Sequence, residues 1–213
     1  VLGAGAGDNR LDGGAGSDTV SYARASAGVT VRLGTTGAQS TGGSGHDTLV
    51  SIERLVGSRF NDALTGNSGA NVLSGGAGDD TLNGGLGRDV LTGGAGNDSF
   101  VFNTTLGASH VDRIADFTVG EDSIRLENAV FTRLLGTGTL VSSMFQSSAS
   151  GVADDTDDHI LYNASTGALV WRTNLGAEIF LGSADAAGKA YAPSLINSSD
   201  LSLRAMSIGG KNF

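Results

Sequence analysis

Along the first hundred residues a single apolar side chain recurs every nine positions, at Leu64, Leu73, Leu82, Leu91 and Phe100. One step back the same phase reaches Leu55, and Val20 and Leu49 hold the equivalent place in earlier copies that are out of that phase. Nine residues divide into a six-residue turn and a three-residue strand. A strand so short cannot stand alone, so the copies must stack, with neighbouring strands about 4.8 Å apart. If each nonapeptide makes half a coil, turns on one edge lie eighteen residues apart. Asp62 then stacks on Asp80, Asp80 on Asp98, Asn71 on Asp89 and Glu53 on Asn71, while the apolar residues point inward as a thin ladder. Ser51–Val56 reads as a shortened turn. Tyr22–Thr41 interrupts the repeat, and within it Val29–Leu33 alternates as a strand does.

The turns carry their own pattern. G-G-x-G-x-D is spelled five times, at Gly13–Asp18, Gly42–Asp47, Gly75–Asp80, Gly84–Asp89 and Gly93–Asp98. Glycine accepts positive φ without steric cost, which suits tight turns. Two copies are degenerate: Asn71 stands in the acidic place of Gly66–Ser74, and Ser58 and Phe60 replace glycines in Gly57–Thr65, which keeps Asp62. Stacked carboxylates about 5 Å apart repel by roughly 1 kcal/mol per pair in water, and by more where water is excluded. A thin apolar ladder offsets this poorly, so the stack needs a cation. Calcium takes six to eight oxygens, from carboxylates and carbonyls together, and glycine turns expose carbonyls beside the Asp. Metal binding then becomes folding free energy. Magnesium, which keeps its waters and demands octahedral geometry, fits less well.

Composition agrees. The chain has 213 residues with 35 glycines and a single proline, Pro193, and no Gly-X-Y period of the collagen type. A net charge of −9 excludes nucleic acid as a partner and concentrates cations. Cysteine is absent, so no disulfide or thiolate site can hold the fold. His46, His110 and His159 are scattered without metal-site spacing and read as exposed or turn residues. No apolar run reaches membrane-spanning length. Val1 begins inside repeat-like sequence, with Ala4–Asp12 a degenerate copy, so the chain reads as the C-terminal part of a longer protein.

These nonapeptides resemble the hemolysin-type, or RTX, calcium-binding repeat family. The resemblance implies an all-β fold: a parallel β-roll over residues 1–101, with the insertion at 22–41, followed by a β-rich C-terminal cap over 102–213. It implies several calcium ions held by the position-six Asp carboxylates and by carbonyls of each turn's first four residues. Asp80 and Asp98 would act with the carbonyls of Gly75, Gly76, Ala77 and Gly78 and of Gly93, Gly94, Ala95 and Gly96. Asp62 and Asp89 follow, the latter with Gly84, Gly85, Leu86 and Gly87, and Asp18 and Asp47 would share a site across the insertion. The Asn71 site would be weaker, and Arg59 and Phe60 depart from the pattern in the Asp62 turn. The stretch Asp112–Leu126 is similar to the segment D-x-I-x-D-F-x-x-G-x-D-x-I-x-L that often follows the last RTX repeat; Asp112, Asp116 and Asp122 would hold a further ion. Strand-like runs follow at His159–Tyr162, Ala168–Trp171 and Glu178–Leu181. Asp154–Asp158 is similar to an acidic stretch of such tails, and Ser199–Leu203 is similar to an export-signal ending.

No nucleophile elbow, Walker loop or dinucleotide fingerprint is present, so the chain itself reads as non-enzymatic. The resemblance implies a secreted, extracellular or cell-surface setting, with the type I secretion machinery as partner. The leading expectation is a calcium-binding module that folds outside the cell and supports export of a larger protein. The alternatives are a module binding an extracellular polysaccharide, through Arg24, Arg32, Arg54, Arg59 and Arg88, and a structural segment of an adhesin or surface layer.

Overall fold

The computed structural model describes residues 1–105, 110, 112–118, 121–127 and 130, and beyond them six further strands. Among the described residues the secondary structure is all β. In chain order the strands are β1 (Leu2–Gly3), β2 (Arg10–Asp12), β3 (Thr19–Ser21), β4 (Thr30–Arg32), β5 (Gln39–Gly42), β6 (Gly45–Val50), β7 (Arg54–Val56), β8 (Ala63–Thr65), β9 (Val72–Ala77) and β10 (Thr81–Asn83). They continue with β11 (Val90–Ala95), β12 (Ser99–Phe102), β13 (Arg113–Ile114), β14 (Ser123–Leu126), β15 (Phe145–Ser148), β16 (Ile160–Asn163), β17 (Ala168–Arg172), β18 (Glu178–Gly182), β19 (Met206–Ile208) and β20 (Lys211–Asn212).

Successive strands alternate between two parallel sheets, as half-coils must. One sheet runs β1-β3-β7-β9-β11-β13; the other runs β4-β8-β10-β12-β14-β19-β20, closing on an antiparallel last pair. The register is the expected eighteen: Leu73 pairs with Leu91 and Leu55, and Leu82 with Leu64 and Phe100. The structure is thus a parallel β-roll. Two apolar ladders fill it, Val20-Leu55-Leu73-Leu91 on the first sheet and Val31-Leu64-Leu82-Phe100-Ile124 on the second, all buried. The sheets continue past Val101: Ile114 pairs with Leu91 and Ile124 with Phe100, so Asp112–Leu126 supplies another coil. Phe117 closes on Phe100 with ring centroids 6.1 Å apart.

The insertion departs from the repeat. Val31 joins the second ladder beside Leu64, but Gln39–Gly42 turns back and pairs antiparallel with β6, while β6 pairs in parallel with β2 through Leu11 and Leu49. The G-G-x-G-x-D copy at Gly42–Asp47 is therefore the tip and second arm of a hairpin, not a roll turn. Its positive φ values fall at Gly42 (73°) and Gly45 (103°). In the four other copies they fall at the glycines of positions two and four. The chain reverses there because Gln39–Thr41 gives the turn an antiparallel partner. Beyond the roll β15-β16-β17-β18 form one sheet, in which β16, β17 and β18 pair antiparallel where strands were read from sequence. Asp154–Asp158, His159 and Ser199–Leu203 lie outside the described residues.

Candidate metal centre

Each clean turn uses its three glycines for different reasons. Those at positions two and four have positive φ, as at Gly76 (117°) and Gly78 (109°), a region that side chains with a Cβ seldom adopt. The first has ordinary φ but no room: a Cβ at Gly75 would run into Asp80 Oδ2 and the Gly93 carbonyl, and one at Gly93 or Gly84 into the carboxylate of its own turn. The sixth-position Asp thus folds back over the turn's first residue.

Along each edge of the roll the acidic residues form a ladder. On the edge entering the second sheet, the Asp62 amide donates to Asp80 Oδ1 (2.8 Å), the Asp80 amide to Asp98 Oδ1 (2.9 Å) and the Asp98 amide to Asp122 Oδ1 (2.9 Å). On the edge entering the first sheet, the Asp18 amide donates to Glu53 Oε2 (2.9 Å), the Asn71 amide to Asp89 Oδ1 (2.7 Å) and the Asp89 amide to Asp112 Oδ1 (3.0 Å). Asp62 on Asp80, Asp80 on Asp98 and Asn71 on Asp89 are the stackings expected from eighteen-residue spacing, whereas Glu53 meets Asn71 through its main-chain carbonyl, which accepts from Asn71 Nδ2 (3.4 Å). Glu53, one methylene longer than Asp, spans the shortened turn, where Ser51 is the described non-glycine residue with positive φ (52°).

In Asp80, Asp89 and Asp98 one oxygen is consumed by this ladder, while Asp18 joins it through its amide alone. Oδ2 is buried without any hydrogen-bond partner in Asp18, Asp80, Asp89 and Asp98. Unpaired buried carboxylate oxygens are costly and call for a cation or a proton. Burial drives the proton affinity up accordingly: Asp80 is raised to about 7, helped by the Asp62 and Asp98 charges, and Asp98 to about 6. Asp112 is raised by burial to about 7, and burial also raises Asp89 and Asp122. Main-chain carbonyls face the neighbouring turns. The carbonyls of Gly76 and Gly78 point at Gly94 and Gly96, and that of Gly93 lies on the same side of Gly75 as Asp80 Oδ2. Among the described residues no three His, Asp or Glu side chains gather into one cluster. An ion here would take a carboxylate oxygen from the turn and fill its shell with carbonyls, a donor set of hard oxygens that fits calcium.

The other expected ligands stand differently. Asp18 and Asp47 do not share a site: the register places Asp18 beside Glu53, half a coil beyond Asp47. Asp47 accepts from the Asn9 amide (2.9 Å) and side chain (2.9 Å) and from the Thr41 hydroxyl (3.3 Å), with Tyr22 beside it. Asp62 takes Ser58 N–H (2.5 Å), Ser58 Oγ (2.9 Å) and the Val29 amide (2.7 Å). Asp112 and Asp122 extend opposite ladders rather than sharing one ion, and Asp116 spends both oxygens on the Gly93 and Gly94 amides (2.9 and 2.8 Å). His46 is exposed near Asp8, and His110 Nδ1 accepts from the Gly87 amide (2.9 Å). The arginines do not converge: Arg32 and Arg54 lie in different sheets, and Arg59 and Arg88 in turns on opposite edges. Sequence reasoning missed the outer ladder Asn61-Asp79-Asn97, in which each amide donates to the neighbouring side chain (2.9 and 2.8 Å). Its signal was Asn or Asp at position five of turns eighteen residues apart.

The family model of the RTX calcium-binding nonapeptide repeat matches in 4 copies, over residues 2–24, 52–82 and 65–100. The chain carries RTX repeats. The matched stretches leave out residues 25–51 and with them the Gly42–Asp47 copy, whose glycines are drawn into a hairpin although Thr48–Val50 still stacks in parallel on Arg10–Asp12. The RTX segment is a calcium-binding module. No curated protein matches the chain.

Proposed function

We propose that this RTX segment is a calcium-gated folding module of a larger extracellular protein, exported unfolded by a type I secretion machine. The observation that carries this reading is the set of buried, unpartnered Oδ2 atoms at Asp18, Asp80, Asp89 and Asp98. Without a cation these four oxygens oppose closure of the roll. When bound, calcium neutralises the carboxylates and replaces the missing hydrogen bonds. A compartment poor in calcium therefore leaves the repeats open and threadable, and millimolar calcium outside closes them, matching extracellular sites with dissociation constants of about 0.1–1 mM. The segment works as a binding and folding element rather than as an enzyme.

Two measurements test this. Limited proteolysis in chelator and at about 2 mM calcium is expected to show rapid cleavage through residues 75–102 only in chelator. Expression beside a type I exporter is expected to deliver the chain to the medium; retention inside the cell, with the exporter active on its own substrate, would overturn the export part.

A further inference from the structure

We propose that the residue at the second position of each turn decides whether that turn holds an ion, and that Ser58, Asn67 and Thr118 close their turns from within. This rests on the calcium reading above and divides the repeats into two kinds.

In turns whose second residue carries a side chain, its backbone N–H swings onto the sixth-position side chain. Ser58 N–H donates to Asp62 Oδ2 (2.5 Å), Asn67 N–H to Asn71 Oδ1 (2.8 Å) and Thr118 N–H to Asp122 Oδ2 (2.6 Å). The same i to i+4 contact recurs three times in turns of unrelated sequence. Ser58 and Asn67 also fix the turn by accepting the amide two residues on, at 3.0 and 2.8 Å. Where the second residue is glycine in positive φ, the amide faces elsewhere: Gly85 N–H goes to Asn83 Oδ1 (3.0 Å) and Gly94 N–H to Asp116 Oδ2 (2.8 Å). The turns with glycine in positive φ at this place, at Gly14, Gly76, Gly85 and Gly94, are those whose Asp keeps a buried Oδ2 without a partner. A side chain at position two disfavours positive φ, and negative φ delivers the N–H to the carboxylate. The protein donor then occupies the place that an ion takes in the glycine turns. Asp62 thus lies on the same ladder as Asp80 and Asp98 without being a calcium ligand.

Calcium bound per chain at saturation, measured by equilibrium dialysis with atomic emission, tests this. Asp62→Asn is expected to leave the count unchanged, whereas Asp80→Asn loses about one ion. Ser58→Gly is expected to gain about one ion, while Ser58→Ala, which keeps a Cβ and the N–H contact, gains none. Asp62→Asn losing as much calcium as Asp80→Asn, or a folded Ser58→Gly with the wild-type count, would overturn the proposal. Should Ser58→Gly fail to fold, the Asp62 and Asp80 pair decides alone. A wild-type chain that binds no calcium would overturn the calcium reading itself, a result distinct from calcium binding with the wrong distribution.

Discussion

At the scale of single residues, glycine and aspartate act as one unit. Gly75 is packed against the carboxylate of its own turn and the carbonyl of the next, so Gly75→Ala is expected to destabilise the calcium-bound roll by about 1–3 kcal/mol, as overpacking does. Urea unfolding at saturating calcium reads this directly, and an unchanged midpoint would contradict the packing described. The raised carboxylates give a pH dependence of definite sign. An unfolded Asp titrates near 4, while Asp80 and Asp98 in the roll are raised to about 7 and about 6. Their contribution to the ion-free fold is present below about 4 and is lost as pH rises through about 6 to 7. In chelator the chain is therefore expected to show more β signal by circular dichroism at pH 5 than at pH 8. Protons and calcium compete for the same oxygens, so with calcium the order reverses: the calcium midpoint rises as pH falls. Equal β signal at both pH values in chelator would show that these carboxylates are not desolvated.

At the scale of elements, a three-residue strand contributes one inward side chain, and stability depends on how those side chains stack. Leu82 lies between Leu64 and Phe100, fully buried. Leu82→Ala is expected to cost about 2–5 kcal/mol, measured by urea unfolding with calcium present. A loss under 1 kcal/mol would mean that the ladder is not the core. The coil spacing, the ladder residues from Leu55 to Phe100 and the stacking of Asp62, Asp80 and Asp98 and of Asn71 on Asp89 were legible in the sequence because nine-residue periodicity ties turn and strand into one register. Val31, Ile124, Asp112 and Asp122, by contrast, join where that periodicity is broken. The hairpin at Gly42–Asp47 was not legible. Its letters equal those of a roll turn, and only the pairing of Gln39–Thr41 with β6 diverts it. The same cause separated Asp18 from Asp47, since register through the insertion depends on which strands meet. The closed state of Asp62 was hidden too, because it depends on where the Ser58 N–H points rather than on which residue holds the carboxylate.

At the scale of the whole molecule, the two sheets of the roll carry little apolar mass, and carboxylates stack from Asp62 to Asp122 on one edge and, with Asn71 in their row, from Asn71 to Asp112 on the other. Among the described residues no helix is long and apolar enough to cross a membrane. On the proposed reading, closure of the roll depends on what fills the gaps between turns. Far-ultraviolet circular dichroism of the intact chain, titrated from chelator to about 10 mM calcium with magnesium in parallel, tests that claim most directly. A cooperative rise in β signal with calcium, absent with magnesium, is the predicted result. A full β spectrum in chelator that calcium leaves unchanged would contradict it, and would mean that the apolar ladders close the roll alone.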